Sequence, residues 1–267
     1  MSTNFSQIAA HYERDALVQR SAADKLLELL AIDKDDAVLD LGCGTGNLTR
    51  KIKGLTAGRV VGVDQSAGMI AQAKAYGGDI AFAGQEVAAL SYGGEFDAIF
   101  CNSAFQWFRE PRAALARCFA ALRPGGRMGI QAPAREAYCP NFIKAMAAVA
   151  QDPRTRETFA GFRSPWLFLE TADEYATLFV EQGFAVPFAV IEEVRTRLPV
   201  AEVITIFESG AAAGYLNQLC YQTRINAAYA ANFRQVVNGA FARQAGDDGT
   251  MTLHFNRIYL LAVKATR

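Results

Sequence analysis

The stretch Val38-Leu-Asp-Leu-Gly-Cys-Gly-Thr-Gly46 decides the fold. A short apolar run leads into Gly42, Gly44 and Gly46, and the residues from Asn47 onward have a helical pattern. Glycines permit a sharp turn and allow ligand atoms to approach the backbone closely. The amino end of the following helix offers free N–H groups to the same ligand. The stretch therefore predicts a strand, a ligand-binding turn and a helix.

The rest of the amino-terminal half alternates apolar strands with helices. Further strands are predicted at 59–63, 80–83, 96–101 and 127–131. Short continuous apolar strands separated by helices indicate a parallel sheet that is covered on both faces. Right-handed crossovers then give an α/β fold with a doubly wound, Rossmann-like, mostly parallel sheet. We expect the last strand, 251–263, to be an antiparallel edge, and a helical cap to cover the carboxyl ends of the strands.

Composition limits the possible classes of function. Of the 267 residues 51% are hydrophobic, which is enough to bury a core and excludes a disordered chain. The 27 basic and 27 acidic residues balance to zero charge, which argues against a nucleic-acid partner. Five scattered cysteines and two histidines predict neither a metal site nor a disulfide framework. Without a secretory signal or a membrane-spanning run, we expect a cytoplasmic protein with no membrane partner.

Three kinds of ligand compete for the glycine turn. A dinucleotide site is typically G-x-G-x-x-G, and a phosphate-binding loop ends in G-K-[ST]; neither order is present. S-adenosylmethionine carries no phosphate, so an acid at the end of a strand suits its cationic groups better than it suits a pyrophosphate. Asp40 lies in the first strand, and Asp64 ends the second, where it can accept hydrogen bonds from ribose hydroxyls. Of the three ligands, S-adenosylmethionine suits these residues best, and the resemblance described next implies it as the cofactor.

Residues 5–132 resemble the class I S-adenosylmethionine-dependent methyltransferases. The motifs that carry the resemblance are Asp40–Gly46, Val63–Ser66 with Met69, Phe96-Asp97, Asn102–Trp107 and Leu122–Gly126. In the family the glycine loop contacts the methionyl part of the cofactor, the acid matching Asp64 holds the ribose, and the residue matching Met69 packs near the adenine. The cofactor-binding residues that we expect are Asp40, Gly42, Cys43, Gly44, Gly46, Asp64, Gln65, Met69, Gln85, Glu86 and Asn102.

The sequence departs from the family pattern after the third strand. The family often has Gly-Asp there, and its acid binds the adenine amino group, whereas this chain reads Ala83-Gly-Gln-Glu86. Either the amide oxygen of Gln85 or the carboxylate of Glu86 is able to accept that hydrogen bond. The choice between these two residues stays open.

Two subfamilies are similar to parts of the chain. The start, Phe5–Arg14, and the block Phe105-Gln-Trp107 look like the malonyl-acyl-carrier-protein O-methyltransferases of biotin synthesis. The same block also occurs in trans-aconitate methyltransferases, which the stretch Phe168–Leu178 with Gly183-Phe184 resembles more closely. Both groups methylate carboxylates. The resemblance therefore implies that the acceptor is a small acid or an acyl chain bound to a carrier protein.

A carboxylate acceptor sets its own requirements. It is ionised at pH 7 because its ordinary pKa is near 4, so no general base is needed. A cation is needed to hold it, ideally an arginine that binds both oxygens. Arg163, Arg224 and Arg257 are the first candidates because each lies beside aromatic residues. The other expected catalytic residues are Tyr12 on the amino-terminal helix and Gln106 and Trp107 after the fourth strand.

The alternation of strands and helices changes after Ala132. The expected segments are 1–134 (amino-terminal lid helix and cofactor-binding core), 135–170 (cap insertion), 171–198 (core helix and strand), 199–245 (helical cap insertion) and 246–267 (final core strand). Two other functions remain open. One is a C- or O-methyltransferase of a quinone, phenol or lipid-like molecule, and the other is a cofactor-binding regulator without turnover. The sequence does not predict the oligomeric state.

Overall fold

A computed structural model describes residues 17–76 and 78–266, with the side chains of 17–21 excepted. The strands are β1 Val38–Leu41, β2 Val60–Asp64, β3 Ala81–Gly84, β4 Phe96–Asn102, β5 Leu122–Pro133, β6 Ala185–Pro199 and β7 Thr250–Val263. The α-helices are α1 Leu17–Leu30, α2 Asn47–Lys53, α3 Ala67–Ala75, α4 Pro111–Ala121, α5 Pro140–Gln151, α6 Arg156–Phe159, α7 Ala172–Val180, α8 Val200–Ser209, α9 Ala212–Tyr215 and α10 Ala227–Ala242.

The seven strands form one sheet in the order β3-β2-β1-β4-β5-β7-β6. Strands β1 to β5 pair in parallel, and helices cover both faces of this part of the sheet. On one face α1 approaches so closely that a Cβ on Gly129 would lie 2.9 Å from Cγ of Leu30. On the other face Leu115 of α4 and Phe179 of α7 are fully buried against the strands. The predicted α/β, doubly wound, mostly parallel sheet is confirmed.

The predicted antiparallel edge of the sheet is confirmed, but its assignment to the last strand was wrong. β7 is antiparallel, but it lies between β5 and β6, so that β6 is the edge. The reason is visible in the burial of β7, where Phe255 and the next five residues are all buried. Such burial on both faces is typical of a strand in the interior of a sheet. β6 instead alternates between exposed and half-buried residues and carries charged side chains, as edge strands do.

The long β7 also positions the helical cap, by which we mean residues 135–170 and 199–245. Pro133 at the end of β5 pairs with Arg257, so the part of β7 before Arg257 projects beyond the carboxyl end of β5. A second apolar core forms around this projection. Its large buried side chains include Phe142, Phe207, Phe233, Phe241 and Phe255. The cap therefore lies on the side of the sheet where open α/β sheets bind their ligands.

Two further expectations concern the amino-terminal helix and the possibility of a membrane-spanning segment. The amino-terminal helix, expected from residue 6, is described from Leu17, and Tyr12 lies outside the described residues. Across the described ranges, no helix combines the length and the apolar character that crossing a membrane requires. The five-segment division of the chain stays a prediction.

Candidate cofactor and acceptor site

A cavity of about 320 Å³ opens at the carboxyl ends of β1, β2, β3 and β4. Its wall brings together eight of the expected site residues: Gly42, Gly44, Asp64, Gln65, Met69, Gln85, Glu86 and Trp107. These residues come from four separate strand-to-helix connections, which meet only because parallel strands end at the same edge of the sheet. Asp40, Cys43, Gly46, Asn102, Gln106, Arg163, Arg224 and Arg257 are not part of this wall.

The glycine turn is required by the backbone and by packing. Gly42, Gly44 and Gly46 all have positive φ angles, of 71°, 55° and 80°. A Cβ on Gly42 would lie 2.4 Å from Cβ of Ala104, and one on Gly46 would lie 2.7 Å from Cζ of Phe82. Side chains cannot approach so closely, so two of the three glycines let neighbouring connections of the fold come together. Gly42 and Gly44 still present their backbone to the cavity.

Asp64 ties the turn to the end of β2. Its carboxylate accepts hydrogen bonds from the backbone N–H of Gly44, at 3.0 Å, and of Ser66, at 2.7 Å. Burial raises the pKa of this carboxyl, and the two N–H donors oppose that rise. A carboxylate has about four acceptor positions, so two remain for other donors. The pair of hydroxyls on a ribose fits this site.

Ser66 begins α3 next to the same carboxylate. Its hydroxyl accepts a hydrogen bond from the backbone N–H of Met69 at 3.3 Å, as an N-cap does. This cap fixes the first turn of the helix, and Met69 lies in the cavity wall as a consequence.

Asp40 lies behind the turn and not in the wall. It is 2% exposed, and Thr49 donates a hydrogen bond to its carboxylate at 2.6 Å. Burial raises the pKa of Asp40 to about 7; the Thr49 hydrogen bond opposes this rise, and the charge of Asp64 adds to it. A positive group bound nearby would favour the ionised form. The predicted pairing of this acid with a cationic ligand is therefore compatible with its surroundings.

Cys43 packs away from the cavity. Its side chain is buried in a small apolar cluster with Ile70, Ala73 and Phe82. Burial raises the pKa of its thiol, with Asp40 and Asp64 adding to the rise, so the thiol stays protonated. Within the turn the backbone N–H of Cys43 donates to the carbonyl of Val63 at 3.0 Å, and its thiol donates to the carbonyl of Gly44 at 3.7 Å.

The β3 side of the cavity has the features of a nucleobase slot. Val87, Ala88, Phe108 and Ala114 provide apolar walls that the sequence analysis missed. Gln85 uses its amide N–H to donate to the carbonyl of Ala89 at 2.7 Å, which leaves its amide oxygen as an acceptor. Glu86 lies beside it and is exposed. The residues present thus fit an adenine, and both candidate acceptors for its amino group remain at the slot.

The opposite side of the cavity, formed by Ser103, Ala104 and Trp107, is called the β4 side. Gln106 is buried behind it and donates its amide N–H to the carbonyl of Ser103 at 2.9 Å. Its backbone carbonyl accepts from the N–H of Leu167 at 2.8 Å, which joins this connection to the cap. The ring of Trp107 meets that of Trp166 edge to face, with centroids 5.5 Å apart. The β4 side is therefore the part of the wall nearest the cap.

The structure separates the three candidate arginines. Arg163 is exposed and donates to the carbonyl of Phe162 at 2.9 Å, and Arg224 is also exposed. Arg257 is 3% exposed and lies next to Gln131 at the end of β5. With the Gln131 amide oriented so that its oxygen faces the guanidinium, the separation from Nη1 is 3.0 Å. Of the three, Arg257 alone joins the hydrogen bonds behind the β4 side.

Asn102 completes this group of polar side chains. It ends β4, is 9% exposed, and its amide oxygen lies 2.8 Å from the amide nitrogen of Gln131. The same nitrogen lies 3.1 Å from the hydroxyl of Ser103. Asn102 is thus placed behind the wall, one residue away from the cavity.

Arg109 is a further cation at the site, and it was not among the residues predicted from the sequence. It is exposed, it belongs to the cavity wall, and the described residues include no ion-pair partner for it. Burial raises the pKa of the Cys220 thiol in the cap, and the nearby charge of Arg109 lowers it, so Arg109 lies close to the cap. The available signal was a cation two residues after Trp107, which ends the block Phe105-Gln-Trp107.

The fold and the site define a Rossmann-like protein that binds a nucleoside without using a phosphate-binding lysine. Residues 38–126 match the family model of a methyltransferase domain. Over 262 residues the chain is 31% identical to the trans-aconitate 2-methyltransferase of Deinococcus radiodurans, which covers 95% of this chain and 96% of that one. Over 133 residues it is 34% identical to the malonyl-[acyl-carrier protein] O-methyltransferase of Hahella chejuensis, covering 48% of this chain and 47% of that one.

The fold is shared with solved structures of low sequence identity. The YcgJ protein of Bacillus subtilis superimposes with a TM-score of 0.62 at 15% identity, over 93% of this chain and 100% of that one. The chain belongs to the S-adenosylmethionine-dependent methyltransferases and is an enzyme that uses S-adenosylmethionine as its cofactor. The family, the cofactor and the enzyme class predicted from the sequence are confirmed.

Proposed function

We propose that this enzyme O-methylates a carboxylate of a small acid or of an acyl chain on a carrier protein. The observation that carries this proposal is the chemistry of the cavity wall. Among the described residues that form it, the titratable side chains are Asp64, Glu86, Arg109 and Glu110. No imidazole, amine, thiol or phenol is among them, and Asp64 already accepts two backbone hydrogen bonds. A wall without such a base suits an acceptor that is already ionised.

The chemistry needs little more than positioning. The cofactor supplies a methyl group that its sulfonium already activates. In-line displacement then depends on holding the acceptor oxygen and the methyl carbon in the right geometry. Asp64 and the β3 side of the cavity would hold the nucleoside, and the β4 side would receive the acceptor. Cations near that side would favour an anionic acceptor over a neutral one.

The relatives support an acid and favour a small one. The names of both relatives specify an acid or an acyl group as the acceptor. The similarity to the trans-aconitate enzyme extends over nearly the whole of both chains and therefore includes the cap. The similarity to the malonyl-carrier enzyme covers about half of each chain. Because the cap lies next to the β4 side, its likeness to the first relative favours a small free acid.

A transfer assay with labelled S-adenosylmethionine tests the proposal. The acceptor panel includes trans-aconitate, citrate, a malonyl-loaded carrier protein, a catechol and a quinol. We expect transfer to an acid, with kcat/KM at least ~100-fold above that for the phenolic acceptors, and a product that loses its label in mild alkali. Alkali-stable label on a phenol, a carbon or a nitrogen would contradict carboxylate methylation. Transfer to the carrier-bound acid alone would overturn the preference for a free acid.

A further inference from the structure

Two arginines of this sheet, Arg127, which is half-buried, and Arg257, which is buried, have different surroundings. Arg127 on β5 donates to the carboxylate of Asp36 at 2.7 Å, to the carbonyl of Ala31 at 2.5 Å and to the carbonyl of Leu30. Its charge is therefore matched by a carboxylate, and its donors are used by the backbone. This is the ordinary arrangement of a structural arginine, because burying a charge is unfavourable unless the charge is paired.

Arg257 on β7 lacks such an arrangement. The described residues include no carboxylate that pairs with it, and its Nε–H is buried without a hydrogen-bond partner. Its contacts are the amide oxygen of Gln131 and the ring of Phe255, whose centroid lies 4.7 Å from Cζ. Burial lowers the pKa of Arg257 to about 10, so the side chain remains charged at neutral pH. Within the described part of the chain, a positive charge thus lies inside the fold without a counter-ion.

The hydrogen bonds of Arg257 lead to the β4 side of the cavity. Through Gln131 it is connected to Asn102 and to Ser103, and the backbone N–H of Ser103 also donates to the carbonyl of Gln131 at 2.7 Å. Ser103 has a φ of 54°, which a residue with a side chain rarely adopts, and it forms part of the wall. The chain of contacts from Arg257 to the wall therefore passes through a single amide.

A second unsatisfied polar atom lies on the other side of Ser103. The amide oxygen of Gln106 is buried and has no hydrogen-bond partner among the residues that the structure describes, while its amide N–H donates to the carbonyl of Ser103. Buried polar groups are nearly always hydrogen-bonded in folded proteins. The two exceptions found among the described side chains are Arg257 Nε and Gln106 Oε1. Gln106 is bonded directly to Ser103, and Arg257 is connected to Ser103 through Gln131.

We propose that Arg257 is a positioning residue whose unpaired charge holds an anionic acceptor at the β4 side, acting through Gln131 on Asn102 and Ser103. This inference rests on the proposed function and names the residue responsible for its preference for acids. In the poorly solvated interior a charge is weakly screened and acts over a longer distance than it does in water. Because no counter-ion for Arg257 is found in residues 17–76 and 78–266, that field is available to the carboxylate of the acceptor.

Arg257→Met and Arg127→Met form a matched pair for the first test. Removing an unpaired buried charge should leave the melting temperature unchanged or raise it, because a side chain of similar volume replaces a desolvated cation. Removing Arg127 should lower the melting temperature, since it leaves Asp36 without its partner. If Arg257→Met melts lower than the wild type by as much as Arg127→Met does, or fails to fold, Arg257 is structural and the proposal is wrong.

Binding of an acid gives a readout that does not depend on turnover. In the presence of S-adenosylhomocysteine, trans-aconitate should raise the melting temperature of the wild type and of Arg257→Lys, which keeps the charge. It should not raise that of Arg257→Met. The affinity for S-adenosylhomocysteine, measured by calorimetry, should agree within about twofold among all three. An equal acid-induced rise in Arg257→Met would contradict the proposal.

Kinetics separate this inference from the proposed function. For an acid that is methylated, Arg257→Met should raise KM about tenfold or more with little change in kcat, and Arg257→Lys should restore most of the loss. If acids are methylated and KM is unchanged in Arg257→Met, the role of Arg257 is wrong and the proposed function stands. If no acid is methylated but Arg257→Met alone loses the acid-induced stabilisation, the anion-holding role stands and the proposed reaction is wrong.

Discussion

At the scale of single residues, the acids around the glycine turn have different tasks. Asp64 reaches the cavity and is held by two backbone N–H groups, whereas Asp40 is buried behind the turn and bonded to Thr49. The sequence predicted both as cofactor-binding residues because each ends or precedes a strand end. It did not distinguish a carboxylate in the wall from one behind it, since that difference depends on how the turn packs.

Asp64→Asn should weaken binding of S-adenosylhomocysteine. The amide replaces one acceptor oxygen by a donor and removes the charge, so hydrogen bonds to the ribose and to the turn are lost together. We expect the dissociation constant to rise about 10- to 100-fold in a calorimetric titration. Asp79→Asn is the control, because that carboxylate is exposed and pairs with Lys53 away from the cavity. Equal affinities in the two variants would contradict the role of Asp64.

Asp40 should make the stability of the cofactor-free enzyme depend on pH. Its pKa is about 7 in the folded protein against an ordinary value of 3.8. Between these values the folded state binds a proton that the unfolded state has released, so the free energy of unfolding falls as the pH rises. The stabilisation is fully present below about pH 3.8 and is lost as the pH passes 7.

Denaturant titrations between pH 5 and 8 measure this effect. Over this range the free energy of unfolding of the wild type should fall by on the order of a few kcal/mol more than that of Asp40→Asn, because the variant has no proton to release at this position. Other titrating groups contribute equally to both proteins and cancel in the difference. Parallel pH profiles of the two proteins would show that Asp40 is ionised throughout the range.

At the scale of elements, sequence patterns predicted the turns and strands that depend on residues close together in the chain. The glycine turn and the strands β1 to β5 follow from apolar runs, turn residues and caps that lie close together in the chain. The placement of β7 between β5 and β6 did not follow, because strand order is set by pairing between distant segments. The run Ile258–Val263, which is apolar without alternation, was the signal for a strand covered on both faces.

The three candidate arginines show the same limit of prediction from local sequence. Arg163, Arg224 and Arg257 were equivalent in sequence, since each lies beside aromatic residues. Their separation into two exposed arginines and one buried arginine required the packing of β7 against β5. Arg109 was missed because its place in the wall depends on how the connection after β4 turns.

Gly42→Ala tests the turn as an element. A Cβ at this position would overlap Cβ of Ala104 and would be held at a positive φ. We expect a loss of about 1–3 kcal/mol in the free energy of unfolding, together with weaker binding of S-adenosylhomocysteine. Gly93→Ala is the control, because a Cβ there meets nothing within 4 Å. A Gly42→Ala enzyme as stable as the control would contradict the packing role of this glycine.

At the scale of the whole molecule, the enzyme is a parallel sheet joined to a cap by long strands and by aromatic contacts. The chain has two tryptophans, and both lie at this junction: Trp107 in the cavity wall and Trp166 in the cap. A ligand in the cavity therefore lies beside the junction between the core and the cap. The zero net charge of the chain leaves steering of an acidic acceptor to local cations.

Tryptophan fluorescence should consequently report cofactor binding. Titration with S-adenosylhomocysteine should change the emission of the wild type and of Trp166→Phe, which retains the ring in the wall. Trp107→Phe should lose most of the change, although calorimetry should still detect binding. A signal that disappears in Trp166→Phe and persists in Trp107→Phe would place the ligand on the cap side of the junction.

The most direct test of the account is a crystal structure of the enzyme with S-adenosylhomocysteine and trans-aconitate. The account predicts the adenine between Val87 and Phe108, the ribose hydroxyls on Asp64, and a carboxylate of the acid at the β4 side beside Ser103. An acid bound among the exposed arginines of the cap, remote from Ser103, would contradict it. So would a nucleoside whose ribose lies away from Asp64.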